Sequence, residues 1–204
     1  MNQKIGVVDY ESGNICSVEN AIVKLGKDFS LVGNPDMVAS FDKIILPGVG
    51  SFPKAMMKLN ESGMTNALNE HVNSGKAILG ICLGMQLMCN SSLEDEYSLG
   101  LSWIDANVIP FIPTNVLKVP HVGWNAIRSA KQNIILDGFK NNSDVYFVHS
   151  YYVSCNNQSD VLLTCDYGGD FVAGFSRGNI FGLQFHPEKS QLTGLGILSN
   201  FLNI

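Results

Sequence analysis

The sequence predicts an α/β protein: a mixed, mostly parallel central sheet flanked by helices, with an added antiparallel section. Three observations predict it. In the first half, short and fully apolar runs alternate with segments of helical periodicity, as strands buried on both faces of a sheet do. In the second half, strand-like runs follow one another closely, as in antiparallel pairing. The composition is globular, with 46% hydrophobic and 15% charged residues over 204 residues. That length can bury a sizeable core as one domain, and no repeat, linker or low-complexity tract divides residues 1–204.

The elements follow in order. Ile5-Gly6-Val7-Val8 is the first apolar run. Asn14 is placed to cap a helix with Ile15, Val18, Ile22 and Leu25 on one face and Gly26 as its stop. Phe29 to Val32 and Lys43 to Leu46 are the second and third runs. Met64, Leu68, His71 and Val72 repeat at helical spacing until Gly75, and Ala77 to Ile81 is the fourth run. Beyond it, 144–153, 161–165, 171–176 and 180–185 read as strands, with Arg177-Gly178-Asn179 as a hairpin turn. Leu192, Leu195, Leu198 and Leu202 suggest a closing helix, which Gly194 and Gly196 weaken.

Charge and cysteine usage narrow the class. The net charge is −5 with no basic block, which argues against nucleic acid or an anionic membrane as partner. The first residues run at once into a strand-like segment, and the most apolar stretch, 77–85, is too short to span a bilayer. The five cysteines are odd in number and include no CxxC pair, so neither a disulfide framework nor a zinc site is expected. A reducing, cytoplasmic setting fits.

One cysteine stands apart. Gly80-Ile81-Cys82-Leu83-Gly84 follows a strand and precedes the helical stretch 85–88. This G-x-C-x-G is the thiol form of a nucleophile elbow, where a strand turns so sharply into a helix that side chains flanking the corner would collide. The helix amino terminus would favour thiolate, and the Leu83 N–H would face a developing oxyanion. The motif alone also suits a small buried cysteine beside packing glycines. Phe185-His186-Pro187-Glu188 ends a strand. Proline keeps His186 extended, and residues two apart in an extended chain share a face. Glu188 can therefore orient His186, giving a base and its orienter. Taken alone, the two also suit a strand end and a solvated carboxylate. Leu46-Pro47-Gly48-Val49-Gly50 is a specialised turn after the third run, with Val49 N–H as a second oxyanion donor or an ordinary turn amide. His71 reads as structural. His121, in the loop-like Pro120-His121-Val122-Gly123-Trp124-Asn125, fits a partner surface or a core anchor. Ser150 and Tyr151 offer backbone contacts to a substrate, and His149 fits a supporting structural role.

Together these segments resemble the class I glutamine amidotransferases, and most closely the glutaminase subunits of imidazole glycerol phosphate synthases. The resemblance runs nearly end to end. It covers Val8-Asp9-Tyr10 with Gly13-Asn14, Leu46 to Gly50, Gly80 to Leu87, Pro120 to Asn125, His149-Ser150-Tyr151, and Phe185-His186-Pro187-Glu188-Lys189-Ser190-Gln191. It implies the flavodoxin-like fold of that class. It implies Cys82 as nucleophile, His186 as acid and base, Glu188 as orienter, and Val49 and Leu83 as oxyanion donors. Gly50, Gln86, Glu94, His149, Ser150 and Tyr151 would line the glutamine pocket. Pro120, His121, Trp124, Asn125 and Lys189 would face a (β/α)8-barrel cyclase. No metal or organic cofactor is implied. Val122 stands where methionine is commoner, which leaves room for a paralogue that supplies ammonia to a surface-sugar amidotransferase. Further alternatives are a peptidase of the cysteine–histidine type and a non-catalytic binding protein; the complete Cys82, His186 and Glu188 set argues against the last.

Overall fold

The parallel strands are where the apolar runs place them. The computed structural model describes residues 3–10, 15–115 and 117–204, so the predicted cap at Asn14 lies outside the described residues. In chain order, β1 is Ile5–Val8, α1 Ile15–Lys24, β2 Ser30–Val32 and β3 Lys43–Gly48. Then come α2 (Phe52–Glu61), α3 (Met64–Asn73), β4 (Ala77–Cys82) and α4 (Leu83–Leu87). The short β5 (Ser91–Ser92) and β6 (Ser98–Leu99) precede β7 (Ala106–Pro110), β8 (His121–Ser129), β9 (Ser143–His149) and β10 (Tyr151–Cys155). The chain closes with β11 (Val161–Asp166), β12 (Asp170–Arg177), β13 (Ile180–Leu183) and α5 (Gln191–Asn203).

Strands β2, β1, β3, β4 and β13 lie side by side and parallel. From β13 onward the sheet continues mainly antiparallel through β12, β10 and β7, and β12 also pairs with β11, which leads to β8 and β9. Successive side chains of a strand point to opposite faces, so each parallel strand feeds two cores. Ile44, Leu46 and Ile78 join Phe52, Leu59, Leu68 and Met85 of α2, α3 and α4 on one face. Ile45, Leu79 and Ile81 join Val18 and Ile22 of α1 and Leu198 and Phe201 of α5 on the other. Each fully buried Leu, Ile or Phe contributes roughly 1.5–3 kcal/mol.

Several expectations need correction. The segment from His121 is a strand, not a loop. β8 pairs with β9 over seven residues, with His121 opposite His149, so backbone pairing overrides the turn character of its glycine. The predicted strand 144–153 is two strands, β9 and β10, divided at Ser150. α4 begins two residues before the expected stretch 85–88, at the elbow itself, and ends at Leu87. α2 carries no expectation at all, although Pro53 near its start and the apolar Phe52, Met56 and Leu59 mark it. The closing helix exists despite its glycines. Gly194 is there for close approach: a Cβ on it would strike the Pro187 carbonyl oxygen.

Candidate active site

Three neighbouring parallel strands bring their carboxyl ends to one edge. Gly48 at the end of β3 stands opposite Cys82 at the end of β4, and Ile81 stands opposite Leu183 at the end of β13. The residues that follow these strands therefore converge, as ligand sites in open α/β sheets do.

Cys82 forms the corner. Its backbone has φ 54° and ψ −112°, a region that costs a non-glycine residue about 1–3 kcal/mol. The flanking glycines are required by space, as the motif predicts. A Cβ on Gly84 would strike the Leu46 carbonyl oxygen, and one on Gly80 would strike the Gly84 backbone. The strained corner turns the thiol, 7% exposed, toward a cleft of about 370 Å³. Val49, Gly50, Leu83, Gln86, Glu94, Pro120 and residues 148–151 line that cleft with it. Leu83 is the first residue of α4, where a backbone N–H has no partner within the helix. Because α4 has little more than one turn, its dipole gives the sulfur less support than a long helix would.

His186 follows β13 in an extended conformation, φ −92° and ψ 97°. Its Nδ1 lies 2.8 Å from Glu188 Oε1, and both side chains are almost fully buried. The expected pair is thus present, but by a different route. Pro187–Lys189 is a turn of 3-10 helix that folds Glu188 back. Ser190 locks it, its hydroxyl donating to His186 O at 2.6 Å and accepting from Tyr146 N–H at 2.9 Å. A carboxylate accepts only, so Nδ1 carries the proton and Nε2 is left for the thiol side. Nε2 is buried without a closed hydrogen bond. Burial alone would lower the proton affinity of His186, but the nearby Cys82 sulfur and the Glu188 carboxylate outweigh it and lift its pKa to about 9.

The cleft wall is a hydrogen-bonded chain. Gln86 Nε2 donates to Tyr151 O and to Gln184 Oε1, both at 3.0 Å. His149 Nδ1 lies 2.8 Å from Tyr151 O, and its Nε2 lies 3.0 Å from His121 Nδ1. A carbonyl accepts, so His149 carries its proton on Nδ1 and takes the His121 N–H on Nε2. Desolvation holds His149 down to about 3 and His121 to about 4, so both are neutral. Glu94 Oε2 accepts from Phe52 N–H at 2.9 Å, tying the cleft to α2, and burial raises its pKa.

The partner-facing set divides. Pro120, Trp124 and Lys189 are exposed, and Asn125 is half-buried with its amide on Asp166 O. His121 is 3% exposed and stacks on Tyr167 and Phe147. It is a buried support of the cleft and offers no surface to a partner. Gln184, fully buried beside the thiol, has no place in the sequence reading. The signal was available: it stands two residues before His186, and residues two apart in an extended segment face the same way.

Residues 6–204 match the family described as glutamine amidotransferase class-I. The chain belongs to that family. The amidotransferase is 42% identical, over 97% of its length and 98% of the relative's, to imidazole glycerol phosphate synthase subunit HisH 2 of Methanococcus maripaludis. It is 45% identical to the HisH 2 subunit of Vibrio vulnificus, over 98% of its own length and 94% of the relative's. It is 44% identical to the HisH 1 subunit of Campylobacter jejuni, over 98% and 100%. Among solved structures, PurLQS of Thermotoga maritima superposes with a TM-score of 0.79 at 21% identity, covering 100% of this chain and 99% of that one. The glutaminase domain of Trypanosoma brucei CTPS gives 0.68 at 15% identity, covering 98% and 94%. At those identities the likeness shows a shared fold. Among the described residues no helix is long and apolar enough to cross a membrane.

Proposed function

We propose that this amidotransferase is the glutaminase subunit of an imidazole glycerol phosphate synthase, working as one domain over residues 1–204 through Cys82, His186 and Glu188. The single observation that carries the chemistry is the strained Cys82 at a strand end, facing a cleft beside the buried His186–Glu188 pair. Its near full-length likeness to subunits of that name carries the pathway.

The Cys82 thiolate attacks the carboxamide carbon of glutamine, forming a C–S bond and a tetrahedral oxyanion. The Val49 and Leu83 N–H groups hold that oxygen, and one such donor is worth roughly 3 kcal/mol. His186 protonates the departing nitrogen, which leaves as ammonia with a glutamyl thioester behind. His186 then takes a proton from water as the water oxygen bonds to the acyl carbon. The C–S bond breaks and glutamate departs. Glu188 keeps Nδ1 protonated and Nε2 aimed at the reaction throughout. Gln86 has both N–H groups engaged, so its oxygen is left to accept from the substrate ammonium, with Glu94 opposite in charge to that group. Gly50, His149, Ser150 and Tyr151 line the same cleft and complete the pocket.

Ammonia released to water is diluted and protonated, so a partner must receive it directly. The partner is a (β/α)8-barrel cyclase docked over Pro120, Trp124, Asn125 and Lys189, where Val122, Trp124 and Val148 expose apolar surface beside the cleft. In that assembly the ammonia enters imidazole glycerol phosphate and so histidine synthesis, in the cytoplasm. A second reading, a paralogue serving a surface-sugar amidotransferase, rests on Val122, which stands on this face, 56% exposed. Glutamate release should be measured for the chain alone and with a barrel cyclase and its nucleotide ligand. Strong stimulation, lost in Cys82→Ala, is expected. Activity that the cyclase leaves unchanged would contradict the histidine-pathway assignment and favour the second reading.

A further inference from the structure

Gln184 has no part in the mechanism above, yet it is a buried polar side chain next to the nucleophile. It follows β13 and stands one step beyond the Leu183–Ile81 pair, hence across from Cys82. It is fully buried. A buried amide must find acceptors for its N–H groups and a donor for its oxygen.

The orientation of that amide is fixed by its neighbours. Tyr151 O is a carbonyl, so the Gln86 atom 3.0 Å from it is the amide nitrogen. The same nitrogen lies 3.0 Å from the Gln184 side chain, which must present its oxygen there. The Gln184 nitrogen is then turned toward Cys82 Sγ, at the 3.8 Å of an N–H···S contact. Swapping either amide would set donor against donor or acceptor against acceptor. Gln86 thus anchors Gln184, Tyr151 anchors Gln86, and the N–H is aimed at the sulfur before any substrate arrives.

We propose that Gln184 is a catalytic residue that donates an N–H to the Cys82 sulfur and stabilises it as the thiolate. It acts when that sulfur is the attacking nucleophile and again when it is expelled as the thioester is hydrolysed. A thiolate accepts a hydrogen bond far better than a thiol or a thioester sulfur, so the bond favours the charged state. The role matters here because α4 has only five residues and offers little dipole of its own. In the second half-reaction, water bonds to the acyl carbon, His186 takes the water proton, and the C–S electron pair returns to a sulfur that Gln184 already faces. This second role rests on the glutaminase reading; the first stands without it.

The test is the rate of Cys82 alkylation by iodoacetamide against pH, which needs no glutamine. The 204-residue chain carrying Cys16→Ser serves as parent, because Cys16 is the exposed cysteine. Gln184→Met keeps the volume and removes the donor. Gln184→Glu keeps an acceptor for Gln86 and turns a carboxylate to the sulfur. The alkylation curve is expected to move up by about one pH unit in Gln184→Met, so that the rate at pH 7 falls about ten-fold, and further in Gln184→Glu. Folded variants that alkylate along the parental curve overturn the proposal. If neither variant folds, the Gln184 side-chain amide resonance of the parent decides. A proton that moves with pH in step with alkylation, and stops moving once Cys82 is alkylated, supports the bond; one indifferent to both overturns it. Failure of the glutaminase reading would show separately, as a parent that alkylates normally but releases no glutamate from glutamine.

Discussion

Cys82 sits at φ 54°, and its cost to the fold should be measurable. Cys82→Ala keeps the strained corner and should abolish turnover while leaving the chain folded. Cys82→Gly relieves the corner and should melt about 2–4 °C above Cys82→Ala, since 1 kcal/mol moves a domain of this size by that much. Equal melting temperatures would show that the corner stores no strain. Gly84→Ala should fail differently, by driving its methyl into the Leu46 carbonyl; a loss of more than about 3 kcal/mol by denaturant titration is expected. At this scale the sequence was most legible where a local rule ties residue type to geometry. The elbow glycines and the His186–Glu188 spacing are such cases. The spacing from His186 marks which way Gln184 faces, but its contact with Cys82 and the His121–His149 contact were not legible, because each joins separate strands and depends on register.

Among the elements, the 3-10 turn at Pro187–Lys189 carries Glu188, the carboxylate that orients the base, and Ser190 holds it in place. Ser190→Ala removes two hydrogen bonds: the Tyr146 N–H loses its acceptor, while the His186 carbonyl keeps only the Lys189 N–H. It should cost about 1–3 kcal/mol and lower kcat for glutamine more than it raises KM, because the base is displaced while the pocket wall stays. An unchanged kcat would show that the turn holds without it. The extended-chain reasoning found the right pair but the wrong local shape, since the hydroxyl tie and the packing of Gly194 against Pro187 involve residues beyond the motif. Strand β8 was misread for a related cause. Its Gly123 and Asn125, and Pro120 just before it, look like turn residues, and only pairing with β9 makes a strand there.

For the whole molecule, stability should peak near pH 6.5. His121 and His149 have folded pKa values below their unfolded ones, so their contribution is present above pH 6.5 and is lost as pH falls toward about 4 and about 3. His186 is raised, so its contribution is present below pH 6.5 and is lost as pH rises through about 9. Denaturant titrations from pH 4 to 9.5 should show both limbs, and His186→Asn should flatten the alkaline one; an alkaline limb of undiminished slope in that variant would contradict the assignment. The parallel half of the sheet was legible because strands buried on both faces leave unbroken apolar runs. The β12–β13 hairpin was legible too, but the β4–β13 neighbourhood was not, because it is set by pairing between segments about a hundred residues apart. That pairing places the Cys82 and His186 strands side by side, and on it the whole function depends. The most direct test is therefore the intact mass of the chain, quenched in acid during turnover with glutamine. A gain of one glutamyl group, located on Cys82 by digestion and absent in Cys82→Ala, is the predicted result. Glutamate release with no such adduct, persisting in Cys82→Ala, would contradict the account.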